Sequence, residues 1–193
     1  MAHTLGVTTD PDGTAHLREA PVSRRAIHAG RLISVFDDQV SLEDGTLTHR
    51  EVVQHPGAVA IVATDAGGRA VLVRQWRHPV GRALWEIPAG TRDRDEPAQQ
   101  TAQRELEEET GLRAASWRAL GAWPLVPGYS TEVMHFFLAA GLTTVGAHTD
   151  SDERIDVGRF LPAQVKDLIA SGDVDVKTMA GLALAGWDVR TDA

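Results

Sequence analysis

The sequence predicts an α+β fold or an α/β sandwich, in which a mixed β-sheet packs against few helices. Short apolar segments separated by turn residues fill most of the first 90 positions, a pattern typical of strands. One amphipathic helical segment follows near residue 100, and two more close the chain. Strands and helices do not alternate regularly, which argues against a repeated βαβ winding.

The N-terminal half reads as hairpins. Residues 1–30 are polar and rich in turn residues, and we expect a loose arm or a pair of short strands there. Two hairpins follow, one around the turn "EDG" and one around "DAGG". A further short strand, "ALWEI", ends at "PAG". The predicted strands of this half are 31–42, 46–55, 58–64, 70–78 and 83–87.

A helix is predicted over about 97–110. Pro97 suits its first turn, and Gly111 suits the position just after its end. Ala98, Ala102 and Leu106 follow one another at a spacing of four, so they form an apolar stripe for the core. The rest of the chain predicts strands at 116–123, 132–142 and 154–162, then helices at 162–172 and 176–187.

Composition limits the classes of function. The 193 residues suit one domain with or without a small appendage, and 19 basic against 27 acidic residues give a net charge of −8. Such an acidic chain lacks the footprint of a nucleic-acid binder, so an anionic substrate would need local arginines or bound cations. There is no Cys, no apolar leader segment and no apolar run long enough for a membrane span. We therefore expect a cytoplasmic protein without membrane or nucleic-acid partners.

The stretch "RELEEETGL" at 104–112 concentrates four glutamates. On a helix, Glu105, Glu108 and Glu109 share a face, where like charges repel by a few tenths of a kcal/mol per pair. Three carboxylates on one face suit a hard divalent cation such as Mg²⁺. A solvated acidic surface is the alternative interpretation, because charge runs commonly face solvent.

The longer stretch "GTRDRDEPAQQTAQRELEEETGL", residues 90–112, resembles the Nudix box of the Nudix hydrolases at every defined position. Members of this family hydrolyse a nucleoside diphosphate linked to another moiety, on an α/β/α sandwich with a mixed sheet. The resemblance implies a set of site residues: Glu105 and Glu109 as main metal ligands, Glu108 as a further ligand, the carbonyl of Ala89 as a backbone ligand, and Arg104 as a brace paired with Glu96. Glu108 and Arg104 are thereby also candidate catalytic residues.

Downstream, "PGYSTE" resembles the ADP-ribose pyrophosphatase subgroup of the family. Pro127 lies 16 residues after Gly111, as in that subgroup, and Glu132 is kept. Thr131 stands where Asp is commoner, and Pro-Gly is also an ordinary turn signal. The resemblance implies Pro127 and Glu132 as substrate-binding residues.

The run "VLVRQWRHPVGRALWEIPAG" also resembles this subgroup. It implies that Arg77 binds phosphate, for which a bidentate guanidinium is suited. It also implies that Glu86 lies beside the site as a substrate-binding residue, in contact with the sugar or the metal shell. Arg50 is a candidate contact to base or phosphate. Trp76 and Trp85 alternate with charged residues, and we expect both in the core.

An acidic loop, "HTDSDER", precedes the strand that ends in "RFLP". By resemblance, Glu153 is the candidate catalytic base or additional metal ligand, with Asp150 and Asp152 as alternatives. A solvated surface loop is the other interpretation.

Together these features predict a Nudix hydrolase domain over 55–193 and an N-terminal strand region over 1–54. In the subgroup, that region forms a small antiparallel sheet at a dimer interface, so a homodimer is expected. The predicted activity is Mg²⁺-dependent hydrolysis of ADP-ribose to AMP and ribose 5-phosphate, with Mn²⁺ as a possible substitute. Two alternatives stay open: another nucleoside diphosphate derivative, dinucleotide or nucleoside triphosphate as substrate, and a non-catalytic nucleotide-binding module.

Overall fold

The computed structural model describes residues 13–93, 95–146 and 154–191. The chain divides into two units. One comprises Met1–His55 with Gly128–Thr131, and the other comprises Pro56–Pro127 with Glu132–Ala193.

The N-terminal unit is a small antiparallel sheet in the order β1-β2-β3. Its elements are a 3-10 turn at Ala15–Leu17, β1 (Ala20–Ala29), β2 (Ser34–Ser41) and β3 (Leu47–Gln54). The hairpin predicted around "EDG" is confirmed as β2 and β3. In place of a loose arm or two short strands, residues 20–29 form one ten-residue strand. Cross-strand ion pairs hold it to β2, because Arg24 and Arg25 face Asp38 and Asp37 at 2.6 and 2.8 Å.

The larger unit is built on a mixed sheet in the order β10-β5-β4-β9-β8, with β6 paired to β5 and β7 to β4. Among the described strands of this sheet, β4 and β9 pair in parallel and the other pairs are antiparallel. The strands are β4 (Ala58–Thr64), β5 (Ala70–Arg77), β6 (Arg82–Glu86), β7 (Ala89–Thr91), β8 (Leu112–Pro124), β9 (Val133–Thr144) and β10 (Ile155–Phe160). The helices are α1 (Ala98–Thr110), α2 (Pro162–Ala170) and α3 (Val176–Leu184).

The central strand β4 explains the layering, because it is buried on both faces. Successive side chains of a strand point to opposite faces. Val59, Ile61 and Ala63 belong to one apolar cluster with Leu106 of α1, whereas the alternate residues of β4 belong to the other cluster, with Val165 of α2 and Leu182 of α3. Helices therefore cover both faces, and the predicted α/β/α sandwich is confirmed.

Two details differ from the sequence predictions. The strand "ALWEI" ends before "PAG", as β6, but Ala89–Thr91 then form a short strand that was not predicted, β7, paired with β4. Trp85 packs against Phe160 at 4.7 Å between ring centroids, as a core residue should, but Trp76 is 61% exposed. Trp76 lies one residue before the end of β5, where it pairs with Ala83 of β6. Within the described chain, every helix is too short or too polar to span a bilayer.

Candidate active site

The acidic face is carried by α1, whose position in the fold is fixed by apolar contacts. Ala102 and Leu106 are fully buried against the sheet, as the stripe predicted. The helix ends at Gly111, whose positive φ of 67° closes the last turn through a bond to the Glu107 carbonyl. This anchoring leaves Glu109 buried, with 4% of its surface exposed to solvent. The side chains of Glu105 and Glu108 are 13% and 40% exposed.

The short strand β7 lies against these carboxylates. Glu109 accepts a hydrogen bond from the backbone N–H of Ala89 at 3.1 Å. Gly90 leaves just enough room for Glu105, because a β-carbon at position 90 would lie 2.0 Å from the carboxyl carbon of that side chain. The structure therefore brings together Ala89, Glu105 and Glu109, three of the predicted metal ligands, at the junction of α1 and β7.

Arg104 lies among the acidic side chains, as the resemblance implied. Its guanidinium contacts Glu105 and Glu108, each at 2.8 Å, and Glu96 at 3.3 Å. Burial lowers the pKa of Arg104, but the negative charge of Glu105 and the hydrogen bonds to Glu96 and Glu108 outweigh it and raise that pKa above its usual value. Arg104 thus offsets part of the repulsion between the clustered carboxylates.

Carboxylate oxygens are the ligands that hard divalent cations prefer, so the donor chemistry of this face fits such an ion. Within residues 13–93, 95–146 and 154–191, however, no group of three acidic or histidine side chains is arranged to hold a metal. Glu153, the remaining predicted ligand and base, lies outside the described residues, as do its alternatives Asp150 and Asp152.

A second charged cluster surrounds Glu86, which is fully buried at the end of β6. Arg77 donates to its two oxygens from Nε and Nη2, at 2.7 and 2.5 Å. Lys177 of α3, itself 8% exposed, donates to Glu86 and to Asp175. Burial raises the pKa of Glu86, but the bonds from Arg77 and Lys177 lower it by more than burial raises it. The net shift of this pKa is therefore downward.

The two clusters are electrostatically connected. The hydrogen bond to Glu86 is the largest cause of the raised pKa of Arg77, and the charge of Glu109 contributes to the same shift. Arg77 therefore interacts with the charge of Glu109 as well as with Glu86.

Sequence reasoning assigned no role to Lys177 or Asp175. The sequence did contain a signal for Lys177. It lies four positions before Gly181 on the apolar face of a predicted helix, and a charge on such a face needs an oppositely charged partner. What could not be read from the sequence is that the partner is Glu86, 91 residues away.

The remaining candidates lie elsewhere in the chain. Pro127 is exposed, and the Glu132 carbonyl accepts a hydrogen bond from the N–H of Leu125 at 3.0 Å. In the N-terminal unit, Arg50 pairs with Glu19 at 2.5 Å. Arg50 also lines an open cavity of about 580 Å³, together with Arg25, Ile27, Asp37, His49, Glu51, Gly128 and Tyr129.

Comparison with known proteins supports the same chemistry. A family model described as "NUDIX domain" matches residues 54–177. An ADP-ribose pyrophosphatase of Mycobacterium tuberculosis is 39% identical over 168 residues, covering 86% of this chain and 79% of the relative. An ADP-ribose pyrophosphatase of Bacillus subtilis is 36% identical, covering 84% and 89%. A crystal structure of an ADP compounds hydrolase has the same fold, with a TM-score of 0.78 and 21% identity over 88% of this chain and 92% of that one.

Proposed function

The chain belongs to the NUDIX family, and on that premise we propose that it hydrolyses the pyrophosphate bond of ADP-ribose to AMP and ribose 5-phosphate. The observation that carries the proposal is the junction of α1 and β7, where Glu105 and Glu109 meet the backbone of residues 89–90. Relatives at 36–39% identity over most of the chain favour ADP-ribose as the substrate.

The reaction adds one water across the phosphoanhydride. The water oxygen forms a bond to one phosphorus as a base takes one of the water's two protons, and the other proton stays on the new phosphate. The bond from that phosphorus to the bridging oxygen breaks, and the bridging oxygen leaves with the other phosphate. A divalent cation is required, because bound cations screen the phosphate charges and lower the pKa of the water. We propose Mg²⁺, with Mn²⁺ as a substitute.

The proposed ligands are the carboxylates of Glu105 and Glu109, the carbonyl of Ala89 and, as a further ligand, Glu108. Arg104 holds two of these carboxylates, Glu105 and Glu108, and is itself held by Glu96. Glu153 is the proposed base and additional ligand, by resemblance alone.

The proposed substrate contacts begin with Arg77. Two of its five N–H groups bind Glu86, which leaves donors for a phosphate on the opposite edge. Glu86 orients this guanidinium. Arg50, Pro127 and Glu132 are proposed contacts to the nucleoside or the sugar, and they rest on the resemblance.

Substrate identity is tested by incubating the purified protein with ADP-ribose and Mg²⁺ and separating the products by chromatography. We expect equal amounts of AMP and ribose 5-phosphate, and no product after chelation of the cation. A nucleotide sugar, a dinucleotide and a nucleoside triphosphate are assayed beside it. A higher kcat/KM for one of these would replace ADP-ribose as the substrate, and no turnover of any would leave a non-catalytic binding module.

The role of the α1 face is tested by Glu109→Gln, with Glu107→Gln as the matched control on the same helix. Glu107 pairs with Arg113 at 2.7 Å, away from the acidic face. We expect Glu109→Gln to lower kcat by a factor of roughly 10² or more, because it removes a contact that stabilises transition-state charge. Equal rates for the two variants would remove Glu109 from the mechanism.

We also propose that the protein is a homodimer formed through residues 1–54. In support, β1 is exposed along its whole length, and the N-terminal unit exposes large apolar side chains at Val22, Ile27, Leu32 and Leu47. Light scattering after gel filtration should give twice the chain mass of 20.8 kDa. The monomer mass at micromolar concentration would refute the dimer.

A further inference from the structure

We propose that Lys177 is a positioning residue for the phosphate-binding arginine: through Glu86, it fixes the orientation and the effective charge of Arg77. The inference rests on the proposed function, in which Arg77 contacts the pyrophosphate. The residues involved form a continuous chain of contacts, from Asp175 through Lys177 and Glu86 to Arg77.

Burial of this cluster is costly, which argues against an incidental arrangement. Glu86 is fully buried and Lys177 is 8% exposed. Charges so far from water are tolerated only when they are paired and hydrogen-bonded, and an apolar pair of similar volume would commonly be as stable. A requirement at the site explains why charges are retained at these two positions.

Lys177 is held rigidly relative to β6. Asp175 caps α3 by accepting from the N–H of Thr178 at 2.9 Å, and the hydroxyl of Thr178 accepts from the N–H of Ile87 at 3.0 Å. Gly181 lets the helix approach closely, because a β-carbon there would lie 2.6 Å from the side chain of Ile87. The ammonium group of Lys177 therefore reaches Glu86 from a fixed direction.

The charge balance shows what Lys177 contributes. Glu86 and Asp175 carry two negative charges, and Arg77 and Lys177 carry two positive ones. Without Lys177 the group would carry a net negative charge. The charge of Arg77 would then be offset by Glu86 and would attract a phosphate less strongly. Arg77 is 37% exposed, and within the described chain its Nη1 has no hydrogen-bond partner. That edge is the one offered to a substrate.

The kinetic test is a double-mutant cycle. Lys177→Met removes the charge and keeps the length of the side chain, Lys177→Arg restores the charge, and Lys166→Met on α2 is the matched control, because Lys166 pairs with Asp188 on the surface. We expect Lys177→Met to raise KM for ADP-ribose roughly tenfold, with partial recovery in Lys177→Arg and no change in Lys166→Met. In an Arg77→Met background, Lys177→Met should change kcat/KM by less than about twofold.

A merely structural Lys177 would give another result. Partial unfolding lowers the active fraction and hence kcat, leaves KM unchanged, and acts equally in both backgrounds. That outcome overturns the proposal. If Lys177→Met does not fold, Asp175→Asn replaces it in the same double-mutant cycle. Asn still caps a helix, but the substitution removes the negative charge that holds Lys177.

A second measurement needs no turnover. The Nε–H of Arg77, assigned by its loss in Arg77→Lys, should give a protected, well-dispersed ¹⁵N resonance that moves to solvent-like values in Lys177→Met and stays in place in Lys166→Met. An unmoved resonance overturns the proposal. If instead the wild-type protein fails to hydrolyse ADP-ribose while the resonance responds as expected, it is the proposed substrate that fails, and the positioning of Arg77 by Lys177 stands.

Discussion

Adding one methyl group at Gly90 should disable the site while leaving the fold intact. In Gly90→Ala the new β-carbon would meet the carboxyl carbon of Glu105 at 2.0 Å and its two oxygens at 2.3 Å. The backbone of Gly90 cannot move away easily, because β7 is paired with Val59 of the central strand. Glu105 must therefore give way.

The size of the effect follows from these distances. Ordinary contact begins at 3.4 Å, so the carboxyl carbon would have to retreat by about 1.4 Å. A misplacement of about 1 Å of a catalytic group costs roughly 10² in rate, which corresponds to about 2.7 kcal/mol of transition-state stabilisation. The unfolding temperature should change little, because Glu105 is a flexible side chain at the surface of the site rather than part of the core.

The assay compares kcat for ADP-ribose in wild type, Gly90→Ala and Gly67→Ala. The last variant controls for the general effect of replacing a glycine, here in the turn between β4 and β5. At position 67 the nearest atom to a new β-carbon is the flexible carboxylate of Asp65, at 3.3 Å. We expect the loss only in Gly90→Ala, with a circular dichroism melt close to that of wild type. Full activity in Gly90→Ala would show that the position of Glu105 does not matter for the reaction.

Two further predictions concern charge. Arg104→Met should lower the metal-free melting temperature by roughly 2–4 °C, about 1 kcal/mol for a partly exposed arginine, because the carboxylates lose their shared cation. Mg²⁺ should reduce the difference in melting temperature between Arg104→Met and wild type. An unchanged difference would show that Arg104 does not influence the metal site. Glu86→Gln should destabilise the protein by about 3 kcal/mol at neutral pH. Because the pKa of Glu86 is depressed below its usual 4.5, its contribution is present above about pH 4.5 and lost as pH falls through the folded-state pKa. The difference in the free energy of unfolding between Glu86→Gln and wild type should therefore decrease in acid. A difference that does not change with pH would contradict the pairing of Glu86 with Arg77 and Lys177.

Much of the fold could be predicted because local patterns agree with the final packing. The α1 stripe, its glycine end and the strand that alternates between two faces all have a single physical interpretation. The strand at 89–91 is not predicted because three residues with a central Gly carry no periodic signal, and only their pairing with β4 makes them a strand. The exposure of Trp76 is not predicted because alternation along a strand does not reveal which parts of a sheet face are covered.

Site residues divide in the same way. Those on one helix, such as Glu105 and Glu109, could be grouped from spacing, because helical geometry fixes which side chains share a face. The partnership of Lys177 with Glu86 depends on how α3 packs on β6, which no local pattern encodes. The resemblance places Glu86 beside the site, but its contacts with Arg77 and Lys177 depend on tertiary packing and could not be predicted.

The two clusters differ in how their charge is balanced. Around Glu86 the two carboxylates are matched by two cations, so the cluster is neutral and presents an arginine edge. Around Arg104, one guanidinium contacts three carboxylates, those of Glu96, Glu105 and Glu108. Glu105 and Glu108 also share a face of α1, where like-charge pairs are unfavourable. A divalent cation would offset that repulsion, so the proposed metal site gives this acidic face a physical reason, beside the arginine proposed to bind the pyrophosphate.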